Sequence, residues 1–222
     1  EAAGSGSIIS PAGYVLTNHH VAGKAKRLLC RLANREELEA RLVGTDPLTD
    51  LAVLKLDLSG RDDDAPPLPY ARFGDSDALR VGDTVLAMGS PGGLSQSVTV
   101  GVVANTQLIS PARGGFVLDG EPVGALVRWI GHDAVIYHGN SGGPLVNLRG
   151  HIVGVNEVGL ASLGGAIPGN LARDVADQLI AGGAVRRSWI GLDAQPLLKS
   201  MDQDQGVLVA GDIEGGPADD AA

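Results

Sequence analysis

An all-β fold is the expectation for this chain, and three features of the sequence carry it. The 222 residues include 33 glycines and 12 prolines, which cut the chain into short runs separated by turns. Those runs are rich in Val and Leu, side chains suited to a pleated, half-buried surface. A single stretch, Asn170 to Gly182, spaces Leu171, Val175, Leu179 and Ile180 near the helical period, and Gly182-Gly183 is its stop signal.

Taken in order, Ser7 to Ser10 and Tyr14 to Thr17 flank Pro11-Ala12-Gly13 and read as a hairpin, with His20 following its second strand. Residues 25–44 alternate charged and apolar side chains, as in Glu39-Ala40-Arg41-Leu42-Val43, the pattern of half-exposed antiparallel strands; a short helix over 34–40 is the competing reading. Asp46-Pro47 turns the chain, and Leu51 to Leu56 is apolar enough to be buried. Leu58 to Ala71, with Asp62-Asp63-Asp64 ahead of three prolines, reads as a solvated linker. Adjacent aspartates point apart and no glycine ligand loop follows them, which argues against a metal site there. Thr84 to Met88, Ser97 to Ala104 and Ala125 to Ile130 read as strands, Gly89 to Leu94 as a loop, and Thr106 to Gly124 as a mobile loop.

The chemistry is concentrated in Gly139-Asn140-Ser141-Gly142-Gly143-Pro144-Leu145-Val146-Asn147. Glycines around one serine allow positive φ and leave its hydroxyl and the nearby amides uncovered. Attack of that hydroxyl on a carbonyl creates an oxyanion, which the N–H groups of Gly139 and Ser141 are placed to receive. A serine also needs a histidine to take its proton and a buried carboxylate to fix the histidine's tautomer. His20, in Thr17-Asn18-His19-His20, and Asp50, in Leu48-Thr49-Asp50-Leu51, fill those roles. The order His, Asp, Ser is that of the chymotrypsin-like double barrels.

These motifs resemble the HtrA (high temperature requirement) family of trypsin-like serine proteases, in which a protease domain precedes PDZ domains. Phe73 to Leu94 resembles that family's link between barrels, and Ala166-Ile167-Pro168 its segment before the last helix, so the resemblance covers nearly the whole chain. It implies a double six-stranded barrel over residues 1–187, divided near 70, with the first barrel short of its N-terminal strand and the chain a fragment of a longer protein. It further implies a serine endopeptidase of unfolded or misfolded proteins in quality control, extracytoplasmic, homotrimeric and independent of metals or cofactors. Substrate would lie against Val135, Asn156, Glu157, Val158, Ala166 and Ile167. Val135 stands six residues before the serine, where trypsin-type relatives carry a carboxylate for Arg or Lys, so a small aliphatic residue is expected there. Ser188 to Leu192 and Gly206 to Ala210 resemble the opening of a PDZ domain; residues 188–222 are fewer than the about 40 a domain needs to fold alone, so a poorly ordered or merely docked tail is expected.

Four positions depart from the family. His19 replaces an asparagine beside the base, Tyr137-His138 replaces an asparagine and a small or basic residue before the Gly139 turn, and Gly165 stands where the family has phenylalanine. His138 is the candidate for a second base, although the turn that exposes Ser141 should direct it away.

Composition narrows the partners. A net charge of −9 argues against nucleic acid and anionic membranes, and no apolar run approaches the length of a membrane span. Cys30 is the single cysteine, which excludes an intrachain disulfide and a cysteine metal cluster. Two other functions compete with the endopeptidase. A catalytically silent homologue that binds extended peptides is compatible with an altered turn at His138. An esterase would also satisfy the Gly-x-Ser-x-Gly spacing of 139–143, but it needs an acid and then a histidine after the serine, and no Asp or Glu separates Ser141 from His151.

Overall fold

The computed structural model describes residues 3–61, 64–90, 96–109, 116–118, 120–160, 162–196 and 206–221. The chain divides into two compact units, Glu1–Val185 and Arg186–Ala222.

The first unit begins with a five-stranded antiparallel sheet in the order β1-β2-β5-β4-β3, formed by β1 (Ser7–Ile8), β2 (Tyr14–Asn18), β3 (Leu28–Arg31), β4 (Glu37–Asp46) and β5 (Leu51–Leu56). The expected hairpin is present, with Ser7 opposite Leu16. Where a helix over 34–40 competed with a strand, the strand wins: Leu38 pairs with Cys30 and is buried, while Glu37 and Glu39 face outward to ion pairs with Arg31 and Arg27. Strand β5 is buried on both faces, Leu54 and Leu56 packing inside the sheet with Val15, Leu38 and Leu68, Leu51 and Val53 packing outside it. That double burial is why its sequence is continuously apolar instead of alternating.

A closed six-stranded barrel follows, in the order β10-β13-β12-β11-β6-β7. Its strands are β6 (Thr84–Gly89), β7 (Ser97–Leu108), β10 (Trp129–His132), β11 (Pro144–Asn147), β12 (Ile152–Leu160) and β13 (Leu163–Pro168), and the short hairpin β8 (Phe116–Leu118) and β9 (Glu121–Val123) lies between β7 and β10. Val85, Ala87, Val103, Ile130, Leu145 and Val153 fill it. The fold is therefore the expected double barrel, one barrel closed and the other a five-stranded half.

Between the two, Leu16, Leu51 and Val53 from the first sheet meet Trp129, Val155 and Ile167 from the second, and Ala172, Val175 and Leu179 of helix α2 (Gly169–Gly182) complete the cluster. The helix ends as its glycines predict, with Gly183 at φ 73° and its N–H bonded to the Leu179 carbonyl at 2.8 Å.

Four local expectations change. Ala125 to Val127 is turn and not strand, because the N–H groups of Gly124 and Leu126 bond the carbonyls of Pro47 and Leu48 at 3.0 and 2.9 Å and dock this segment on the first sheet. His19 and His20 open a single helical turn, α1 (His19–Ala22), in place of a strand end. The expected loop 106–124 contains the end of β7 and the β8–β9 hairpin; residues 110–115 and 119, with 91–95 of the other loop, lie outside the described residues. The linker is not wholly solvated, since Leu68 is core and Arg61 pairs with Glu36 at 2.8 Å.

The second unit contains an antiparallel pair, β14 (Leu192–Pro196) and β15 (Val207–Asp212), with Ile213 N–H bonded to the Gly191 carbonyl at 2.8 Å. Its described residues thus include one strand pair. No helix among the described residues is long and apolar enough to cross a membrane.

Candidate active site

The turn before β11 holds Ser141 by its carbonyls. Ser5 donates from Oγ to the Gly139 carbonyl at 2.6 Å and from N–H to the Ser141 carbonyl at 2.8 Å. Gly142 and Asn156 exchange the turn with β12, Gly142 N–H reaching the Asn156 carbonyl at 2.8 Å and Asn156 N–H the Gly143 carbonyl at 2.8 Å. Gly139 has φ 103° and Gly142 φ 83°, and a Cβ on Gly142 would stand 2.3 Å from Ser5 O and Thr17 Oγ1, so the turn requires glycine at both. Among the described residues nothing accepts a hydrogen bond from the N–H of Gly139 or of Ser141. Ser141 Oγ donates to the Glu157 carbonyl at 2.8 Å.

Asp50 is fully buried, at φ 53° at the end of the 3-10 turn Pro47–Thr49, a left-handed conformation that aspartate tolerates better than most side chains. Its carbonyl is fixed by Asn18 Nδ2 at 2.9 Å and by the His19 N–H at 3.0 Å. Its carboxylate receives the His20 backbone N–H on Oδ1 at 2.9 Å and faces His20 Nδ1 with Oδ2 at 2.6 Å. An ionised carboxylate only accepts, so Nδ1 carries the hydrogen and Nε2 is left as the basic nitrogen.

The structure therefore brings His20 and Asp50 into direct contact. Ser141 is held by its bond to Glu157, and among the described residues no hydrogen bond joins it to His20. His19 is turned elsewhere: Nδ1 meets Thr45 Oγ1 at 2.5 Å and Nε2 meets Glu121 Oε2 at 3.1 Å. His138 is exposed.

Of the residues expected against substrate, Val135 is 48% exposed, whereas Asn156, Ala166 and Ile167 are fully buried. Asn156 uses its amide inside the barrel, Nδ2 donating to the carbonyls of Met88 at 3.2 Å and Pro144 at 3.1 Å. The side chain of Val158 lies outside the described residues. Glu157 is placed by its strand with the carboxyl inward, where Trp129 Nε1 donates to Oε2. Burial above all, and then the negative charge of Asp50, pushes this carboxyl up to about 8, against the pull of the Trp129 hydrogen bond. The sequence signal for so unusual a group was slight: a glutamate in an apolar strand with no cation beside it. Among the described residues no three His, Cys, Asp or Glu side chains gather as a metal site.

Residues 4–155 match the family described as the Trypsin-like peptidase domain. A curated relative from Pseudomonas savastanoi pv. phaseolicola, named a probable periplasmic serine endoprotease DegP-like, is 45% identical over 227 residues, covering 97% of this chain and 44% of its own length. Among solved structures, the HtrA-type protease AlgW with tripeptide aligns at TM-score 0.77 and 37% identity over 97% of this chain and 70% of that one. The serine endoprotease from Yersinia pestis aligns at TM-score 0.71 and 36% identity, over 97% and 67%. The chain spans less than half the length of the curated relatives it matches.

Proposed function

This chain belongs to the trypsin-like peptidase family, among the HtrA-type proteases, and on that footing we propose that it is a serine endopeptidase with His20, Asp50 and Ser141 as its triad. The observation that carries the proposal is the 2.6 Å contact of His20 Nδ1 with a fully buried Asp50, which leaves Nε2 basic. In the reaction, Ser141 Oγ swings from the Glu157 carbonyl toward His20 Nε2, gives up its proton and attacks the peptide carbonyl. The N–H groups of Gly139 and Ser141 receive the oxyanion. The imidazolium, stabilised by Asp50, then protonates the leaving amine, and water enters by the reverse route to release the acyl group.

For the residue before the scissile bond we propose a small aliphatic side chain. Val135 offers no carboxylate, and the buried Ala166 and Ile167 are apolar; in this reading an extended peptide lies along the main chain at Asn156, Glu157 and Val158. The names of the relatives support an extracytoplasmic, periplasmic setting. Unfolded proteins as substrates, a homotrimer, and Arg186–Ala222 as the start of a PDZ domain complete the reading.

A fluorophosphonate should label the native protein at Ser141 alone, and Ser141→Ala should abolish casein hydrolysis, by about 10⁶-fold in kcat, with an unchanged circular dichroism spectrum. Substrate binding without labelling would identify a catalytically silent homologue instead.

A further inference from the structure

Glu157 places a second buried carboxyl behind the base. Its side chain is 3% exposed, Oε2 accepts from Trp129 Nε1, and Oε1 has no hydrogen bond among the described residues. Oε1 lies against Gly124, 3.5 Å from where a Cβ would stand, and Gly124 is the residue bonded to the Pro47 carbonyl of the turn that carries Asp50. The Asp50 N–H bonds the same Pro47 carbonyl at 3.1 Å, so the Glu157 carboxyl lies beside the turn that carries Asp50, and the Asp50 charge adds to burial in raising it. Two carboxylates in such a place cannot both be ionised cheaply, whereas one neutral acid can donate to the other. Asp50 has room for that donor, because each oxygen engages only one hydrogen from His20 and can accept a second.

We propose that Glu157 is a positioning residue for the reaction proposed above: as a neutral acid it donates its carboxyl O–H to Asp50 and holds that carboxylate against His20 Nδ1, and loss of its proton disarms the site. The other charged groups nearby are engaged. Asp46 accepts from Thr49 Oγ1; His19 of α1 is bound to Thr45 and to Glu121 of β9, which also holds Lys24 at 2.6 Å; His20 Nδ1 is paired with Asp50. When Glu157 ionises, the buried pair of negative charges is relieved either by displacement of Asp50 or by proton uptake on His20. Each outcome removes the general base.

The test is the pH dependence of kcat and KM for casein-derived peptides between pH 6 and 10. The wild type should lose activity along an alkaline limb near pH 8. Glu157→Gln keeps a donor for Asp50 and cannot ionise, so it should lower kcat at pH 7 only several-fold and remove the limb. Glu157→Leu should lower kcat by about tenfold to a hundredfold, the scale of one charge-assisted hydrogen bond, with KM nearly unchanged. A limb that persists in Glu157→Gln overturns the proposal. Carbon-13 NMR of glutamate carboxyls in the Ser141→Ala protein supplies a readout independent of turnover: one resonance should titrate near 8 and be missing from the spectrum of Ser141→Ala/Glu157→Gln. A midpoint near 4.5 overturns the neutral acid itself. A high midpoint in a protein that hydrolyses nothing would overturn the endopeptidase reading and the positioning role with it, leaving the neutral carboxyl standing.

Discussion

His19 and His20, neighbours in the chain, are committed to different carboxylates: His20 Nδ1 lies 2.6 Å from Asp50 Oδ2, and His19 Nε2 lies 3.1 Å from Glu121 Oε2 on the β8–β9 hairpin. The first contact orients the proposed base; the second ties α1 to a residue 102 positions away.

The two histidines should therefore fail differently. His20→Ala removes the proton acceptor and should cut kcat by several orders of magnitude without lowering the melting temperature much. His19→Asn breaks the Thr45 and Glu121 bonds and should loosen the β8–β9 hairpin while most activity survives. Casein hydrolysis together with hydrogen exchange over 116–123 separates them; equal losses of kcat would mean that the assignment of the base to His20 is wrong.

The primary pocket gives a second test. Burying a guanidinium beside Val135 without a carboxylate costs several kcal/mol on the scale of unpaired buried charges, about 3–5, so cuts after Arg or Lys should be rare. Mass spectrometry of casein fragments should show Val, Ala or Leu before most cleaved bonds. A majority of cuts after basic residues would refute it.

Stability should depend on pH through two buried groups of opposite sign. Burial lowers the His132 imidazole below its ordinary value, so the native state resists protonation, and its contribution is present above about 6.5 and lost as pH falls below it. Glu157 is raised to about 8, so its native form keeps a proton the unfolded chain has released, and stability falls as pH rises from about 4.5 to 8. Each slope has a limit of about 1.4 kcal/mol per pH unit. They oppose one another just below 6.5, and between 6.5 and 8 only the Glu157 loss remains. Urea melts should show wild-type stability declining across 6.5 to 8 and Glu157→Gln flat there; the reverse order would contradict the Glu157 assignment.

Most of the fold was legible because its cues are local. The Pro11-Ala12-Gly13 turn, the double-sided apolar run of β5 and the Gly183 stop each declare themselves within a few residues. The residues proposed as the triad were nameable from three motifs in order, although the bond of Ser141 Oγ to the Glu157 carbonyl was not. What escaped depends on distant partners. Ala125 to Val127 has strand-like composition, but its hydrogen bonds go to Pro47 and Leu48, and no local pattern carries that information. The same holds for Glu157, whose surroundings are assembled from Trp129, Gly124 and the Asp50 turn. An inward-facing strand position in the sequence says only that a side chain is enclosed; the neighbours decide what the enclosure does.

Ser5 lies just ahead of the first sheet yet grips the turn that presents Ser141, through the carbonyls of both Gly139 and Ser141, and is itself gripped by Thr17 Oγ1 at 2.7 Å and the Ser90 N–H at 2.9 Å. While the chain is being made, the His20–Asp50 pair can form as soon as the first sheet closes, but Ser141 follows Leu56 by 85 residues, and its turn is fastened only when it folds back onto Ser5. On the proposed triad, the site is incomplete until the turn of Ser141 has folded back onto Ser5.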